Sequence, residues 1–221
     1  MCKKIKSFNL SRGVRISNYR VIEKVGRGCE GEVYKVEEVP TEAIRALKLF
    51  RTDELDSVRH VIHFAWYYEK LRETNHFPIY HHYGQWFFDD NNGCWFLVFE
   101  FIDGEPLCTP KLASETQFFA LAKAVATVHS YGFAIGDFGD LTNVFVRKSD
   151  KSVVFIDCEP GEPDYPNTNF CNDCTDELAG AAKTMFEDKP PASVVKLLEQ
   201  LTSNRFSENT LEEVLSDLKI C

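Results

Sequence analysis

Two groups of residues in this chain have the types and the spacing to do chemistry. The first is the glycine run Gly26-Arg27-Gly28-Cys29-Glu30-Gly31-Glu32-Val33, followed by Lys48 in Arg45-Ala46-Leu47-Lys48-Leu49. A G-x-G-x-x-G run alone says little, because glycines gather in many turns. Set between two strand-like segments and followed by a third strand carrying A-x-K, it suits backbone laid over a triphosphate with an ammonium aimed at it. An ordinary glycine-rich hairpin explains Gly26, Gly28 and Gly31 but not Lys48. The second group is ordered: Asp137, then Asn143, then a hairpin ending in Asp157. Here one carboxylate would accept the proton of an attacking hydroxyl. The Asn carbonyl and the second carboxylate offer the hard oxygen ligands that Mg²⁺ demands.

The elements that must position these groups follow from hydrophobic periodicity. Residues 19–25 and 32–37 read as strands broken by the glycine turn, and residues 43–50 as a third. A helix is predicted over about 53–73, with Val58, Val61, Ile62, Ala65, Trp66 and Tyr68 at near-helical spacing. Such a helix should present a carboxylate to Lys48, and Glu69 is the candidate; in Glu69-Lys70-Leu71-Arg72-Glu73 it reads equally as a solvated charge. Two further strands are predicted at 78–84 and 95–102, joined by the turn Asp89-Asp90-Asn91-Asn92-Gly93. His81 and His82 alternate across a strand and make a poor bidentate metal site. A helix over 114–132, with Phe118, Leu121, Ala122, Val125 and Val128 on one face, stops at Gly132. A polar turn at 147–152 leads into a strand at 153–157.

Length and composition bound the rest. The chain has 221 residues and no repeat, which suits one domain or two lobes sharing a cleft. A formal net charge of −9 makes it a poor partner for nucleic-acid backbones and anionic membranes, so no nucleic-acid partner is expected, and without a long apolar segment no membrane span is expected either. Met1-Cys2-Lys3-Lys4-Ile5-Lys6 is the obvious local basic patch. Neither a long apolar span nor a signal-peptide pattern is visible. The eight cysteines are scattered, as for reduced thiols in a cytoplasmic protein. Cys171-Asn172-Asp173-Cys174 lacks the second ligand pair that a zinc site needs.

From residue 18 onward these motifs resemble the protein-kinase superfamily. The resemblance implies an α+β, bilobal kinase-like fold: an N-terminal extension over 1–17, a β-rich small lobe over 18–102 and a reduced helical large lobe over 103–221. Leu97-Val98-Phe99-Glu100-Phe101-Ile102-Asp103-Gly104 resembles the last small-lobe strand and hinge. By that resemblance Phe99 is the gatekeeper, the Glu100 carbonyl and Ile102 N–H bond adenine, Val33 and Ala46 sandwich the ring, and Phe145 is its floor. Gly26, Gly28 and Gly31 cover the phosphates, and Lys48 binds them. Asp137 is the catalytic base, and Asn143 and Asp157 are the magnesium ligands. Asp176-Glu177-Leu178-Ala179-Gly180 resembles the opening of the buried large-lobe helix, and the segments around Leu201 and Leu211 resemble the closing helices.

The departures shape the functional expectation. Ile135-Gly136 stand where the family has His-Arg, so control by activation-loop phosphorylation is not expected. Asn143 lies six positions after Asp137, one more than in the family, which calls for an insertion or for Asp140 to share the base or metal role. Gly139 stands about where serine/threonine kinases carry a lysine. Asp157-Cys158-Glu159 replaces Asp-Phe-Gly, and a short segment, with no Ala-Pro-Glu, separates it from Asp176. The expectation is a compact kinase using ATP and Mg²⁺, acting on a protein Ser/Thr. It is similar in economy to minimal kinase effectors of bacterial pathogens, which implies an activating host partner. A sugar or small-molecule kinase resembling lipopolysaccharide-core kinases and a pseudokinase binding module are the alternatives.

Overall fold

The computed structural model describes residues 7–51, 54–88, 93–161, 170–187, 189–203 and 211–218. They fall into two compact units, residues 1–72 with 78–102, and residues 73–77 with 103–221. The predicted turn at Asp89–Asn92 and the basic patch at residues 1–6 lie outside the described residues.

The first unit is an antiparallel six-stranded sheet with one long helix. Its strands are β1 (Arg15–Ile16), β2 (Tyr19–Arg27), β3 (Gly31–Glu38), β4 (Ala43–Phe50), β5 (Tyr80–Phe87) and β6 (Gly93–Glu100), in the order β1-β2-β3-β4-β6-β5. Alternation along β3 and β4 sorts side chains to two faces. Tyr34, Val36, Leu47, Leu49, Phe96 and Val98 form a core on one face. The chain expected as an N-terminal extension is built onto this face: Phe8, Leu10 and Val14 pack against the core, and Ile16 is fully buried within it. The other face carries Val33, Ala46, Lys48 and Phe99, set together by the registers Val33↔Lys48, Ala46↔Phe99 and Lys48↔Leu97. Helix α1 (Glu54–Lys70) packs there, with the Phe64 ring 6.4 Å from Phe50 and the Tyr68 ring 5.6 Å from Phe99. The helix ends earlier than the predicted 53–73: a short 3-10 turn, Arg72–Thr74, follows it. Strand β5 runs past the predicted end at residue 84, and β6 stops at Glu100, two residues before the predicted boundary.

The second unit is mainly helical. Strands β7 (Gly104–Pro106), β9 (Val144–Arg147) and β10 (Val153–Phe155) form one small sheet; β8 (Ala134–Gly136) and β11 (Glu159–Gly161) form another. Helices α2 (Glu115–Ser130), α3 (Phe170–Phe186), α4 (Ala192–Ser203) and α5 (Leu211–Asp217) supply the core. Ser114 caps α2 by accepting the Gln117 N–H at 3.2 Å, and Gly132, at φ +81°, lets the chain turn away after its last turn. The buried face of α2 holds Phe118, Leu121, Ala122, Val125 and Val128 as the periodicity predicts, and each large side chain so buried contributes about 1.5–3 kcal/mol. Helix α3 begins at Phe170, six residues before the predicted opening at Asp176. Residues 73–77 join this unit rather than the preceding lobe. The Phe155 N–H donates to the His76 carbonyl at 2.8 Å, and the Phe77 ring lies 5.7 Å from that of Phe155. Among the described residues no helix is long and apolar enough to cross a membrane.

Candidate active site

In the first unit, Lys48 sits on β4, opposite Val33, and is 4% exposed. Its ammonium lies 4.8 Å from the Phe64 ring centroid and 5.0 Å from that of Phe50, which shield its stem. Glu69 does not reach it. The Glu69 side chain is exposed and lies 3.8 Å from Arg72 in the 3-10 turn that follows the helix, so the solvated-charge reading holds and the expected partnership is corrected. A carboxylate that does meet Lys48 comes from the glycine hairpin itself: Glu30 Oε2 lies 3.0 Å from Lys48 Nζ.

The three hairpin glycines differ physically. A Cβ on Gly31 would lie 2.1 Å from the Leu49 carbonyl oxygen, so β3 and β4 approach too closely there for any side chain. A Cβ on Gly28 would meet nothing within 4 Å, and one on Gly26 would make ordinary contact with Val33. The open space at Gly28 is what a hairpin covering a ligand needs. The hairpin is pinned from the side by Arg51, whose guanidinium donates to the Gly28 carbonyl at 2.8 Å and to Glu32 at 2.9 Å.

Glu32 is fully buried and anchors this pinning. It accepts the Ser7 hydroxyl at 2.6 Å, the Phe8 and Asn9 N–H groups at 3.3 and 3.2 Å and the Tyr34 hydroxyl, and it pairs with Lys24 at 2.9 Å. Burial alone would raise its pKa. The hydrogen bonds from Ser7, Tyr34, Lys24 and Arg51 outweigh that and hold it far below the usual carboxylate range. In sequence Glu32 and Glu30 are unmarked positions inside a glycine motif, and nothing there separates a buried anchor from a solvated charge.

The positions expected around adenine share this unit, apart from Phe145. Val33, Ala46 and Phe99 lie on the Lys48 face, and the Ile102 N–H makes no hydrogen bond among the described residues. The Glu100 N–H donates to the Ile79 carbonyl at 2.8 Å, which ties the end of β6 to the start of β5. Phe145 lies in the second unit, half-buried on β9 and opposite Val154.

In the second unit, the loop between β8 and β9 brings Asp137 and Asn143 together. The Asn143 Nδ2 donates to the Asp137 carboxylate at 2.9 Å and to its carbonyl at 3.1 Å, so the extra loop residue does not separate them. Within this loop Asp137 (φ +60°) and Leu141 (φ +63°) adopt the left-handed conformation. One oxygen of Asp140 accepts both the Thr142 N–H at 2.9 Å and the Thr142 hydroxyl at 2.7 Å, closing a local turn. Asp157 is placed by the β9–β10 hairpin. The pairing Val144↔Phe155, extended by the Ile156 N–H donating to the Asn143 carbonyl at 2.8 Å, sets Asn143 and Asp157 at the same end of the hairpin. Asp157 is itself left-handed, at φ +57°. Such residues cost on the order of 1 kcal/mol or more each and persist only where neighbours hold them.

Two residues outside the sequence-based candidate set supply that hold. Glu177 on α3 accepts the N–H groups of Asp137 at 3.2 Å, Phe138 at 2.8 Å and Gly139 at 2.5 Å. This packing also accounts for glycine at 139: a Cβ there would lie 3.0 Å from Glu177 Oε2 and 3.2 Å from its carbonyl oxygen, with Gly180 packed just beyond. Cys158 is buried with its Sγ 3.7 Å from both the Asp137 and the Asn143 carbonyl oxygens. Burial, then the charges of Asp137 and Asp157, push its thiol well above the usual value, so it stays a donor. Sequence shows Glu177 only as a helix charge and Cys158 only as a motif departure.

The donor set suits Mg²⁺. With its amide nitrogen turned to Asp137, Asn143 keeps an amide oxygen that accepts no hydrogen bond among the described residues. No cluster of three His, Cys, Asp or Glu able to hold a metal occurs among them. Of the C-x-x-C pair, the Cys171 side chain lies outside the described residues, and Cys174 Sγ is buried 2.9 Å from His129 Nε2.

No protein-family model matches this sequence, and none of the curated proteins does. The structure, in contrast, is similar to crystal structures of the Mycobacterium tuberculosis PknI kinase domain. A single-mutant form superposes with a TM-score of 0.60 at 17% identity, over 96% of this chain and 99% of that one. A double-mutant form gives 0.59 at 17% identity, and a third structure of the domain 0.56 at 16%, with the same coverage. With a β-rich first unit and a helical second unit, the chain has the α+β fold of a protein-kinase domain.

Proposed function

We propose that this protein is a phosphotransferase that moves the γ-phosphoryl group of ATP to an acceptor hydroxyl with Mg²⁺, the acceptor being a protein serine or threonine. The observation that carries this reading is the hydrogen bond from Asn143 to the Asp137 carboxylate, at the hairpin end that also bears Asp157. One loop and one hairpin thereby hold a general base and two oxygen ligands. Asp137 accepts the proton of the attacking hydroxyl, and its bond to Asn143 fixes the carboxylate for that step. Asn143 and Asp157 would hold Mg²⁺, which supplies charge neutralisation on the phosphoryl oxygens. Lys48 binds the α/β-phosphates under the backbone of Gly26, Gly28 and Gly31. Val33, Ala46, Phe99, Glu100 and Ile102 receive the adenine.

The choice of a protein acceptor is supported by helices α4 and α5, which stand where the sequence resembles the closing helices of protein kinases. The short stretch between Asp157 and α3 supports a need for an activating protein partner. A sugar or small-molecule acceptor is the second reading. Gly139 favours it, since the close contact with Glu177 leaves no room for a lysine beside the transferred phosphate.

Incubation with γ-labelled ATP and Mg²⁺ tests both, with a protein and peptide set in one arm and sugar acceptors in the other. Label on serine or threonine, abolished by Lys48→Ala and Asp157→Ala at matched folded fraction, is the expected result. Label on sugars alone would overturn the protein acceptor. No transfer, together with no thermal shift on adding ATP and Mg²⁺, would overturn the catalytic reading itself.

A further inference from the structure

We propose that Glu30 is a nucleotide-displaced latch on Lys48. Its carboxylate occupies, in the nucleotide-free protein, a place on the ammonium that a nucleotide phosphate must take. The inference rests on the proposed reading of Lys48 as the phosphate-binding cation, and it concerns the first unit alone.

Glu30 comes from the tip of the glycine hairpin, and its Oε2 lies 3.0 Å from Lys48 Nζ. Its other oxygen, Oε1, lies 3.9 Å from His60 Nδ1 on α1, and that ring nitrogen is buried without a hydrogen bond among the described residues. The carboxylate thus spans from the sheet to the helix. The backbone on either side of it is fixed. The Glu30 carbonyl accepts the Arg51 N–H at 2.7 Å, the Gly28 carbonyl accepts the Arg51 guanidinium at 2.8 Å, and the Gly28 N–H donates to the Gly31 carbonyl at 3.1 Å. The hairpin therefore keeps its shape while the Glu30 side chain, 27% exposed against 5% for that of Lys48, has solvent to swing into.

Carboxylate and phosphate oxygens are acceptors of the same kind for an ammonium. Both are anionic, so a phosphate arriving at Lys48 gains the cation and meets the repulsion of Glu30 at once. Unlike a carboxylate presented from α1, which leaves other ammonium protons for phosphate, Glu30 reaches Lys48 from the hairpin proposed to cover the phosphates, so it has to leave. The apparent affinity for any phosphate-bearing nucleotide is then lowered by the fraction of molecules with the latch closed, whereas a ligand with no phosphate pays no such penalty. A latch closed in about nine molecules of ten weakens such a nucleotide about tenfold.

The test is calorimetric titration of the full chain, wild type and Glu30→Gln, with ADP and with adenosine. Glu30→Ala serves as a second variant should the Gln protein fold poorly. We expect ADP to bind about tenfold tighter to either variant, with adenosine changed by less than about twofold. ADP affinity unchanged or weakened, or a gain shared equally by adenosine, would overturn the latch while leaving the nucleotide site intact. Failure of ADP and adenosine alike to bind wild type and variants would overturn the nucleotide-site reading on which the latch rests.

Discussion

Asn143 donates its amide N–H to the carboxylate of Asp137 at 2.9 Å, across a loop one residue longer than the spacing this arrangement ordinarily takes. The nearby Asp140 carboxylate instead closes its own turn on Thr142. The two acids should therefore respond differently to substitution. Asp137→Asn and Asn143→Ala should each lower kcat by about 10²–10⁴-fold, the range of general acid–base contributions. Asp140→Ala should keep kcat within about tenfold and lose about 1 kcal/mol of stability through the missing turn bonds. Steady-state phosphate-transfer rates beside urea unfolding curves check this. A collapse of kcat in Asp140→Ala with stability intact would move the base to Asp140.

Glu177 holds the catalytic-loop backbone through three N–H groups. Glu177→Ala would leave these donors without their acceptor, and we expect a loss of about 3 kcal/mol, since hydrogen bonds to a charged group contribute about 1.5–3 kcal/mol each and the Asp137 N–H regains water. Gly139→Ala attacks the same contact from the other side and should cost about 1–3 kcal/mol, because the new Cβ presses on the backbone of α3. Denaturant midpoints measure both. The two losses should be non-additive in the double variant, as expected of groups in direct contact.

Much of the fold was legible because it rests on local patterns. The β2–β3–β4 segment announces itself by alternation and a glycine turn, and α2 by its buried face, its Ser114 cap and Gly132. What sequence could not show are partnerships across distance. Glu69 has the right helix and charge to meet Lys48, yet its position on the turn leaves it in solvent beside Arg72. Glu30 meets Lys48 because the hairpin folds its tip inward, a tertiary fact with no spacing signature. Residues 7–14 fall within what reads as an N-terminal extension, but Glu32, 25 residues beyond Ser7, gathers them onto the sheet. The first turn of α3, Phe170-Cys171-Asn172-Asp173, shows little helical periodicity by itself, so the helix begins ahead of the opening that the sequence suggests at Asp176.

The glycine hairpin offers a clean separation of fold from ligand binding. Gly31→Ala forces a Cβ to 2.1 Å from the Leu49 carbonyl oxygen, so β3 must part from β4. We expect a loss of about 3 kcal/mol or more, as for other severe backbone clashes. Gly28→Ala meets no protein atom and should change stability by less than about 1 kcal/mol. It should nevertheless weaken ATP binding, because the methyl would stand between the backbone N–H groups and the phosphates. Thermal midpoints with and without ATP and Mg²⁺ distinguish the cases. A Gly28→Ala protein with wild-type stability and an unchanged ATP-induced shift would remove this hairpin from the nucleotide site.

His129 gives the fold a defined acid sensitivity. Burial pushes its imidazole pKa down to about 4, and its Nε2 lies 2.9 Å from the buried thiol of Cys174. In the unfolded chain the same ring takes a proton near pH 6.5. Between these values the unfolded state binds more protons than the folded one, so stability is full above about pH 6.5 and declines as the pH falls toward about 4. The decline attributable to this residue should be on the order of 2 kcal/mol, allowing for its partial contact with solvent. His129→Gln retains a polar group beside Cys174 and cannot titrate. Its unfolding free energy should run flatter than that of wild type from pH 6.5 to 4.5, with the two curves separating most at the acid end. Parallel curves across that range would show that the imidazole gains its proton in the folded protein as readily as in the unfolded chain.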